Sequence, residues 1–397
     1  SQGGKTRRIH TLFMFPSLEG ADKFNQELTK RRANLRSDGR PIVGINSRDL
    51  AKIALECDER ALIIPAHAWT PWFSIFGSFS GFDSVEECFG DMSKYIYGIE
   101  TGLSSDPVMN WQISDLNNRA ILSFSDAHSL EKMGREATVF EAEEISYDSI
   151  YDAVRRPSVI LGSDLPAMLR DAMQAGAIPE SKNADSGYTE PCDPSTDGSK
   201  ARMTNSKIAF TIEFYPEEGK YHFTGHRNCN FSQTPEETAK NGNNCPVCSR
   251  PLTVGVMHRV EELKSEEANV ISEEIDGVKW QKSPSGRPAY VNLVPLGEIL
   301  AEVLGVGVGT QRVKEAYMIL VKNLGSEFGV LMRASVGDIA KYAGGRAAEA
   351  IARVRHGDIV IEPGYDGQFG KVLIWPDKKD DKVEEGETPE SQLNLFV

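Results

Sequence analysis

The sequence predicts an α/β protein whose first part carries a mainly parallel sheet or barrel. A small metal-binding unit and a helical region follow. Three observations lead there. Strand-like and helix-like segments alternate over residues 9–160, a His/Cys set with two-residue gaps lies at 226–248, and helix-period segments fill 292–356. The length of 397 residues suits two or three domains. With 40% apolar and 26% charged residues the composition is that of an ordinary globular protein. There is no apolar run of about 18 residues, so no membrane span is expected. No cleavable signal is read ahead of the first strand. The net charge of -14 argues against a generally basic nucleic-acid coat, but a local basic groove stays compatible with it.

The elements are read in order. "IHTLFMF" (9–15) is a strand, and "LEGADKFNQELTKRRANL" (18–35) has helical spacing. "SRDLAKIALEC" (47–57) is a second helix with Ser47 as its N-cap. "ALIIPAHA" (61–68), "YGIETGL" (97–103), "AILSFSDAH" (120–128) and "EATVFEAE" (136–143) are strands, and "SYDSIYDAVRR" (146–156) is a helix. Side chains at i and i+2 of a strand share a face, so Asp126 and His128 are expected to project together from a strand's C-terminal end. His67 also ends a strand, whereas His10 opens one. Chemistry in β/α barrels gathers at the C-terminal strand ends, so these residues are candidates for a metal site or a proton-handling pair. A lone His beside an apolar strand also reads as a satisfied core residue, and Glu100 at another strand end stays open as ligand, substrate contact or ion-pair partner.

Beyond the alternating region, 179–206 is rich in Ser, Asp, Pro, Gly and Asn and reads as a flexible insertion. "GHRNCNF" and "NNCPVCSR" supply His226, Cys229, Cys245 and Cys248 as H-x2-C and C-x2-C, the spacing of two zinc knuckles. Four protein ligands close such a site, so a structural Zn2+ is expected; His222 is a weaker competing ligand. Cys57 and Cys88 read as free thiols, and Cys192 lies in a polar stretch. Six cysteines used this way fit a reducing cytoplasm. "LVPLGEILAEVLG", "GTQRVKEAYMILVKNLG" and "SVGDIAKYAGGRAAEAIARVR" are helical, and the tail from 377 is charged.

Taken together, "GGKTRRIHTLFMFPS", "IIPAHAWTPWFSIFGS", "ETGLSSDP", "SDAHS", "IEFYPEEGKYHFTGHRNCN", "CPVCSRPLTVGVMHRVEEL", "NLVPLGEILAE" and "EPGYDGQFGK" resemble the endonuclease Q family. These are DNA-repair nucleases built on a PHP (polymerase and histidinol phosphatase) domain. The resemblance covers nearly the whole chain except 164–206 and the acidic tail. It implies a distorted (β/α)7 PHP barrel over 1–163, an insertion at 164–206, a zinc-binding module at 207–290, a helical DNA-binding domain at 291–376 and a tail at 377–397. It further implies nicking on the 5′ side of deoxyuridine, hypoxanthine, xanthine or an abasic site, by metal-assisted phosphodiester hydrolysis. His10, His67, Asp126 and His128 would hold a divalent cluster of Zn2+, Mn2+ or Mg2+, with Asp126 and His128 catalytic. PHP sites also carry an N-terminal H-x-H and further ligands ahead of "RRIH", which this sequence lacks. Poor binding of the barrel metals and little cleavage are expected of it.

Several residues are candidates for contacting DNA. Arg7 and Arg8, with Lys5, form a basic edge. Trp69 and Trp72, with Phe73 and Phe76 after them, could wedge a duplex or stack a flipped base, or pack the loop onto the barrel. Phe76 is expected to pack. Gly344, Gly345 and Arg346 lie at a tight turn resembling half of a helix-hairpin-helix, where backbone N–H groups can hold a phosphate, although the usual Gly-hydrophobic-Gly is not present and a plain αα-hairpin explains the stretch equally well. Tyr365 lies in the Gly-rich "EPGYDGQFG". Gln392, Leu393, Leu395 and Phe396 of "SQLNLFV" match the Q-L-x-L-F peptide with which bacterial repair proteins dock on the sliding clamp. A PHP phosphoesterase acting on a small phosphate ester, and a non-catalytic clamp-tethered DNA-binding module, are the alternatives.

Overall fold

Strand β1 (Thr11–Met14) leads into helix α1 (Leu18–Lys30), whose N-cap Ser17 accepts from the Gly20 N–H. Helix α2 (Ser47–Cys57) follows. Its N-cap is Asn46 and not Ser47: the Asn46 side chain accepts from the Asp49 N–H at 2.8 Å, and the preference of Asn for that position leaves Ser47 as the first helical residue. Strand β2 (Leu62–Pro65) returns antiparallel to β1, with Thr11 opposite Pro65. Helix α3 (Val85–Phe89), strand β3 (Gly98–Glu100), helix α4 (Pro107–Trp111) and strand β4 (Ala120–Leu122) come next. Strands β3 and β4 are parallel. Strand β5 (Ala137–Glu141) and helix α5 (Tyr147–Arg155) complete the first part. The computed structural model describes residues 7–36, 41–156 and 205–375. Lys5, Cys192, most of the 164–206 segment, and the tail with Gln392, Leu393, Leu395 and Phe396 lie outside the described residues.

The second part opens with β6 (Lys207–Glu213). Strands β7 (Thr224–His226) and β8 (Phe231–Gln233) and helix α6 (Pro235–Asn241) belong to the His/Cys unit, and helix α7 (Val256–Leu263) follows it. Strands β9 (Ile271–Ile275), β10 (Val278–Lys282) and β11 (Ala289–Asn292) then join β6 and β5 in a five-stranded sheet of order β5-β6-β11-β10-β9. That sheet runs across the expected boundaries at 163 and 290, because β6 pairs with β5 on one side and β11 on the other.

Helices α8 (Leu296–Leu304), α9 (Gln311–Leu324), α10 (Val336–Ala343) and α11 (Gly345–His356) cover one face of the sheet, burying Trp280, Val291, Ile299, Leu320 and Ile351 in one core. A π-turn (Gly329–Arg333) interrupts them. Carbonyls in and just after it find a donor in the buried Arg355 of α11, whose guanidinium reaches the Val330, Leu331 and Ala334 oxygens at 2.7 Å each. A hairpin of β12 (Val360–Glu362) and β13 (Lys371–Leu373) closes the described chain. No helix among the described residues is long and apolar enough to cross a membrane.

The helices fall where their periodicity places them, but two strand expectations change. The described strands form five separate sheets with several antiparallel pairings, not one mainly parallel barrel sheet. Two helices lie between β1 and β2, so the chain re-enters from the opposite end. The strand expected over 120–128 stops at Leu122. There the Ser123 N–H donates to the Thr138 hydroxyl and the Ser123 hydroxyl to the Ile212 carbonyl, drawing the chain off β3 toward β5 and β6.

Candidate active site and metal knot

His10 sits one residue before β1, fixed at both backbone atoms. Its N–H donates to the Phe73 carbonyl at 2.8 Å, and its carbonyl accepts from the Ala66 N–H at 3.0 Å. The same pairing carries His67 past the end of β2, in a left-handed conformation (φ +32°) that a non-glycine residue rarely adopts. The Glu100 carboxylate holds that turn by accepting from the His67 N–H at 2.5 Å. Gly102 is required beside it: its φ is +60°, and a Cβ there would lie 2.6 Å from the His67 Cβ. The result is that His10 Nδ1 and His67 Nε2 face each other at 2.8 Å.

The hydroxyl of Thr70 is placed to favour one protonation of His67. It donates to the Trp72 carbonyl at 2.9 Å, so toward His67 Nδ1, 3.0 Å away, it serves as an acceptor. With the hydroxyl proton on that carbonyl, the contact favours a His67 proton on Nδ1, which turns the Nε2 lone pair to His10. This is the arrangement of a metal-ligating imidazole oriented through its other nitrogen.

Glu100 is almost wholly buried, and burial pushes its carboxyl up to about 7 against the pull of the His67 N–H. Asp126 lies near enough to raise it further. Asp126 itself has φ +43° and is not on a strand, so the shared-face argument for Asp126 and His128 fails. His128 is exposed and turns Nδ1 back to the Asp126 carbonyl at 2.9 Å. The site thus brings His10, His67 and Glu100 together, with Asp126 within electrostatic reach and His128 at the surface. Among the described residues, the one set of three or more His, Cys, Asp or Glu whose ligand atoms all lie within 4.8 Å of one another is elsewhere, at the knot.

Below Glu100 lies a pair of carboxyl groups not singled out from the sequence. Glu213 ends β6 and Glu136 precedes β5, opposite it by the Ala137–Ile212 register. Both are buried. Glu213 accepts from the Thr101 hydroxyl at 3.0 Å and lies 3.2 Å from the Ser123 hydroxyl oxygen, and Glu136 accepts from the Phe214 N–H at 3.1 Å. Burial pushes Glu213 up to about 8; burial, then the neighbouring Glu213 and Glu100, hold Glu136 well above the usual range. The signal was present in "KIAFTIEFY", where alternation sets Thr211 and Glu213 on one face of an apolar strand.

The knot gathers His226 from the end of β7, Cys229 from the turn after it, and Cys245 and Cys248 from one knuckle. The knuckle is closed by Cys245 N–H to the Arg250 carbonyl and Ser249 N–H to the Cys245 carbonyl, both 2.8 Å. His226 Nδ1 lies 3.3 Å from Cys248 Sγ. Burial opposes ionisation of Cys245, but the Cys248 N–H, the His226 ring and the Val247 N–H bring its thiol down to about 6. One imidazole and three thiols at this separation suit one tetrahedrally held ion. His222 is not part of the set: it is buried, and burial lowers it to about 4.

The residues expected at DNA fare differently. Trp69 is fully buried, with its indole N–H on Asn110 Oδ1 at 2.8 Å, so it packs the loop and is not available to a base. Phe76 is likewise buried against it. Trp72 is 40% exposed and stacks flat on the 46% exposed Phe79, ring centroids 4.7 Å apart, with Tyr221 at its edge. Phe79 was not singled out in the sequence. Arg7 lies over the Phe82 ring and 3.5 Å from Glu87; Arg8 is exposed above Phe73. Gly344 (φ +85°) joins α10 to α11, and neither it nor Gly345 has an atom near its Cβ position, so the turn is open. Arg346 lies over Trp375. Tyr365 packs on Gly225 of the knot unit and donates to Asn230 Oδ1 at 2.9 Å.

Several known proteins are similar to this chain in sequence or fold. Residues 111–159 match a family model described as PHP-associated, and residues 295–358 one described as the MJ0043 C-terminal domain. The chain is 28% identical over 314 residues to the uncharacterized protein MJ0043 of Methanocaldococcus jannaschii, across 79% of this chain but only 32% of that relative. The chain therefore spans about a third of that relative's length. It is 28% identical over 368 residues to the uncharacterized protein YqxK of Bacillus subtilis, across 92% of this chain and 73% of the relative. The crystal structure of the lesion-specific endonuclease PfuEndoQ from Pyrococcus furiosus superposes with a TM-score of 0.70 at 28% identity, over 94% of this chain and 77% of that one. An endonuclease Q structure in complex with a 27-mer duplex bearing an abasic lesion also gives 0.70 at 28%, over 95% and 80%. In fold and in sequence, along nearly all of its length, this chain is similar to endonuclease Q.

Proposed function

We propose that the chain is a DNA-repair endonuclease that nicks 5′ to deaminated bases or abasic sites. The observation that carries this reading is the pairing of His10 Nδ1 with His67 Nε2 beside Glu100, in a fold similar to endonuclease Q. His10 and His67, paired at 2.8 Å, would be the first two ligands of a divalent ion, with Asp126 near enough to add its charge. Such an ion supplies positive charge to a phosphodiester and makes water a better nucleophile. The protein's own part is orientation: Thr70 favours one His67 tautomer, and Glu100 fixes the backbone turn that presents the ring. The exposed Trp72–Phe79 stack offers a flat apolar face on which an unpaired base can rest. The open Gly344–Gly345 turn leads into α11 and suits a backbone phosphate. At the knot the ion is Zn2+ in a structural role. The QLNLF peptide is read as a tether to the sliding clamp.

The test is nicking of end-labelled duplexes carrying one deoxyuridine, hypoxanthine, xanthine or abasic site, with Mn2+, Mg2+ or Zn2+ added. The expected product is a break 5′ to the lesion, reduced at least about 100-fold in His67→Ala. A second reading, a non-catalytic DNA-binding module, is favoured by the position of His128 at the surface. Lesion-selective binding without cleavage under every metal would replace the first reading by the second. Rapid hydrolysis of small phosphate monoesters with no effect on DNA would displace both.

A further inference from the structure

A cavity of about 490 Å³ opens at the other end of the β3–β4 pair from His67, where α4, the start of β4 and the β10–β11 turn meet. Two guanidinium groups line it, Arg119 and Arg287. Each keeps a buried N–H with no hydrogen-bond partner, Nε of Arg119 and an Nη1 hydrogen of Arg287. Their acidic neighbours are loosely placed: Asp115 lies 3.5 Å from Arg119 and Glu266 3.8 Å from Arg287. Nη1 of Arg119 donates to the Ile96 carbonyl at 2.9 Å and the Ser93 carbonyl at 3.4 Å, and Arg287 donates its Nη2 to Asn117 Oδ1. Arginine cannot shed its charge by losing a proton at any ordinary pH. Two half-satisfied guanidinium groups beside one cavity therefore favour an acceptor of negative charge, and a tetrahedral oxyanion can take N–H groups from both. Asn118 and Ser285 add polar groups, and Trp111, almost wholly buried and packed on Tyr290, adds an apolar part to the wall. The volume falls in the range of small-molecule sites, of roughly 300–1,000 Å³.

We propose that this cavity binds an organic phosphate of about the size of a nucleoside monophosphate, with Arg119 and Arg287 on the phosphate and the Trp111 wall beside the ring. The site is separate from the His10–His67 pair and stands or falls independently of the nuclease reading. The test is binding of deoxyadenosine 5′-monophosphate by calorimetry to the full chain, compared with inorganic phosphate and with deoxyadenosine. The nucleotide is expected to bind at least about tenfold more tightly than either part, as a ligand that engages both kinds of wall should. Two variants report on the site, Arg287→Gln in its wall and Ser285→Glu at its exposed rim. The second places a like charge at an exposed position and spares the core. Both should weaken the nucleotide at least about tenfold while unfolding at the wild-type temperature. The proposal is overturned if the nucleotide does not bind at millimolar concentration, if it binds no better than inorganic phosphate, or if both variants bind it as the wild type does. Displacement of bound nucleotide by an undamaged duplex would assign the cavity to a DNA track and also overturn it.

Discussion

Thr70 lies three residues from His67, and its hydroxyl, 3.0 Å from Nδ1, favours the tautomer that keeps the ring proton on Nδ1 and off the nitrogen facing His10. Replacing Thr70 by Val keeps the shape and removes the acceptor. The Nδ1 proton then loses its partner, and the neutral ring is free to move its proton to Nε2, the nitrogen that faces His10. Thr70→Val is expected to cost about 10- to 100-fold in divalent-ion affinity at this site, the usual effect of removing a group that orients a ligand. Nitrogen NMR of the His67 ring checks the cause directly. An unchanged tautomer would remove Thr70 from the account. The same scale shows what could be read in advance. His10 and His67 were visible as imidazoles beside strands, and the chain does bring them together. Trp69 and Trp72, three residues apart in one aromatic run, were indistinguishable: Asn110 takes the indole N–H of Trp69 into the core, and nothing in the run itself announces that partner.

Among the elements, the helices were the legible part, because an apolar stripe at helical spacing is a local property. Helix α2 spans the residues its pattern marks, and α9 and α11 lie inside theirs. Strand ends were not legible, since they depend on which partner arrives. Leu122 ends β4 because Thr138 and Ile212 take over the bonds of Ser123. The facing of Glu136 and Glu213 is hidden for the same reason: it follows from the pairing of β5 with β6, two strands that 65 residues separate between Glu141 and Lys207. That pair carries a pH dependence whose sign follows from its raised values. In the unfolded chain Glu213 releases its proton near 4.5, whereas burial in the fold delays release to about 8. The folded state holds the extra proton between those values, so stability from this group is complete below the lower one and declines as pH rises toward the upper one. Glu213→Gln removes the ionisation. Thermal unfolding at pH 5 and pH 8 should show the variant gaining on the wild type by a few kcal/mol at the higher pH. A gap between variant and wild type that is the same at both pH values would mean that Glu213 is ionised throughout.

On the scale of the whole molecule, two kinds of stabilisation divide the second part of the chain. The five-stranded sheet and its helices share one extensive apolar core around Trp280 and Ile299. The knot has little of that kind: β7 and β8 are three residues each, α6 is seven, and Cys248 is exposed. So small a unit draws its folding free energy largely from the ion, because ligand thiols that repel or crowd one another without it become bonded with it. Helix α7 belongs to neither case, since Val256 and Val260 are buried in the core of the first part against Phe76 and Phe82. A strong chelator, or Cys245→Ser, is therefore expected to release 224–253 to fast hydrogen exchange while α7 and strands β6, β10 and β11 stay protected. Tyr365 gives the loss a wider reach. It packs on Gly225 and bonds Asn230, so the β12–β13 hairpin should loosen with the knot even though it contributes none of the four ligands. Hydrogen exchange read by mass spectrometry separates the outcomes. Loss of protection confined to 224–253 and the hairpin supports a locally metal-folded unit, whereas melting that spreads through the sheet would make the ion a keystone of the whole second part.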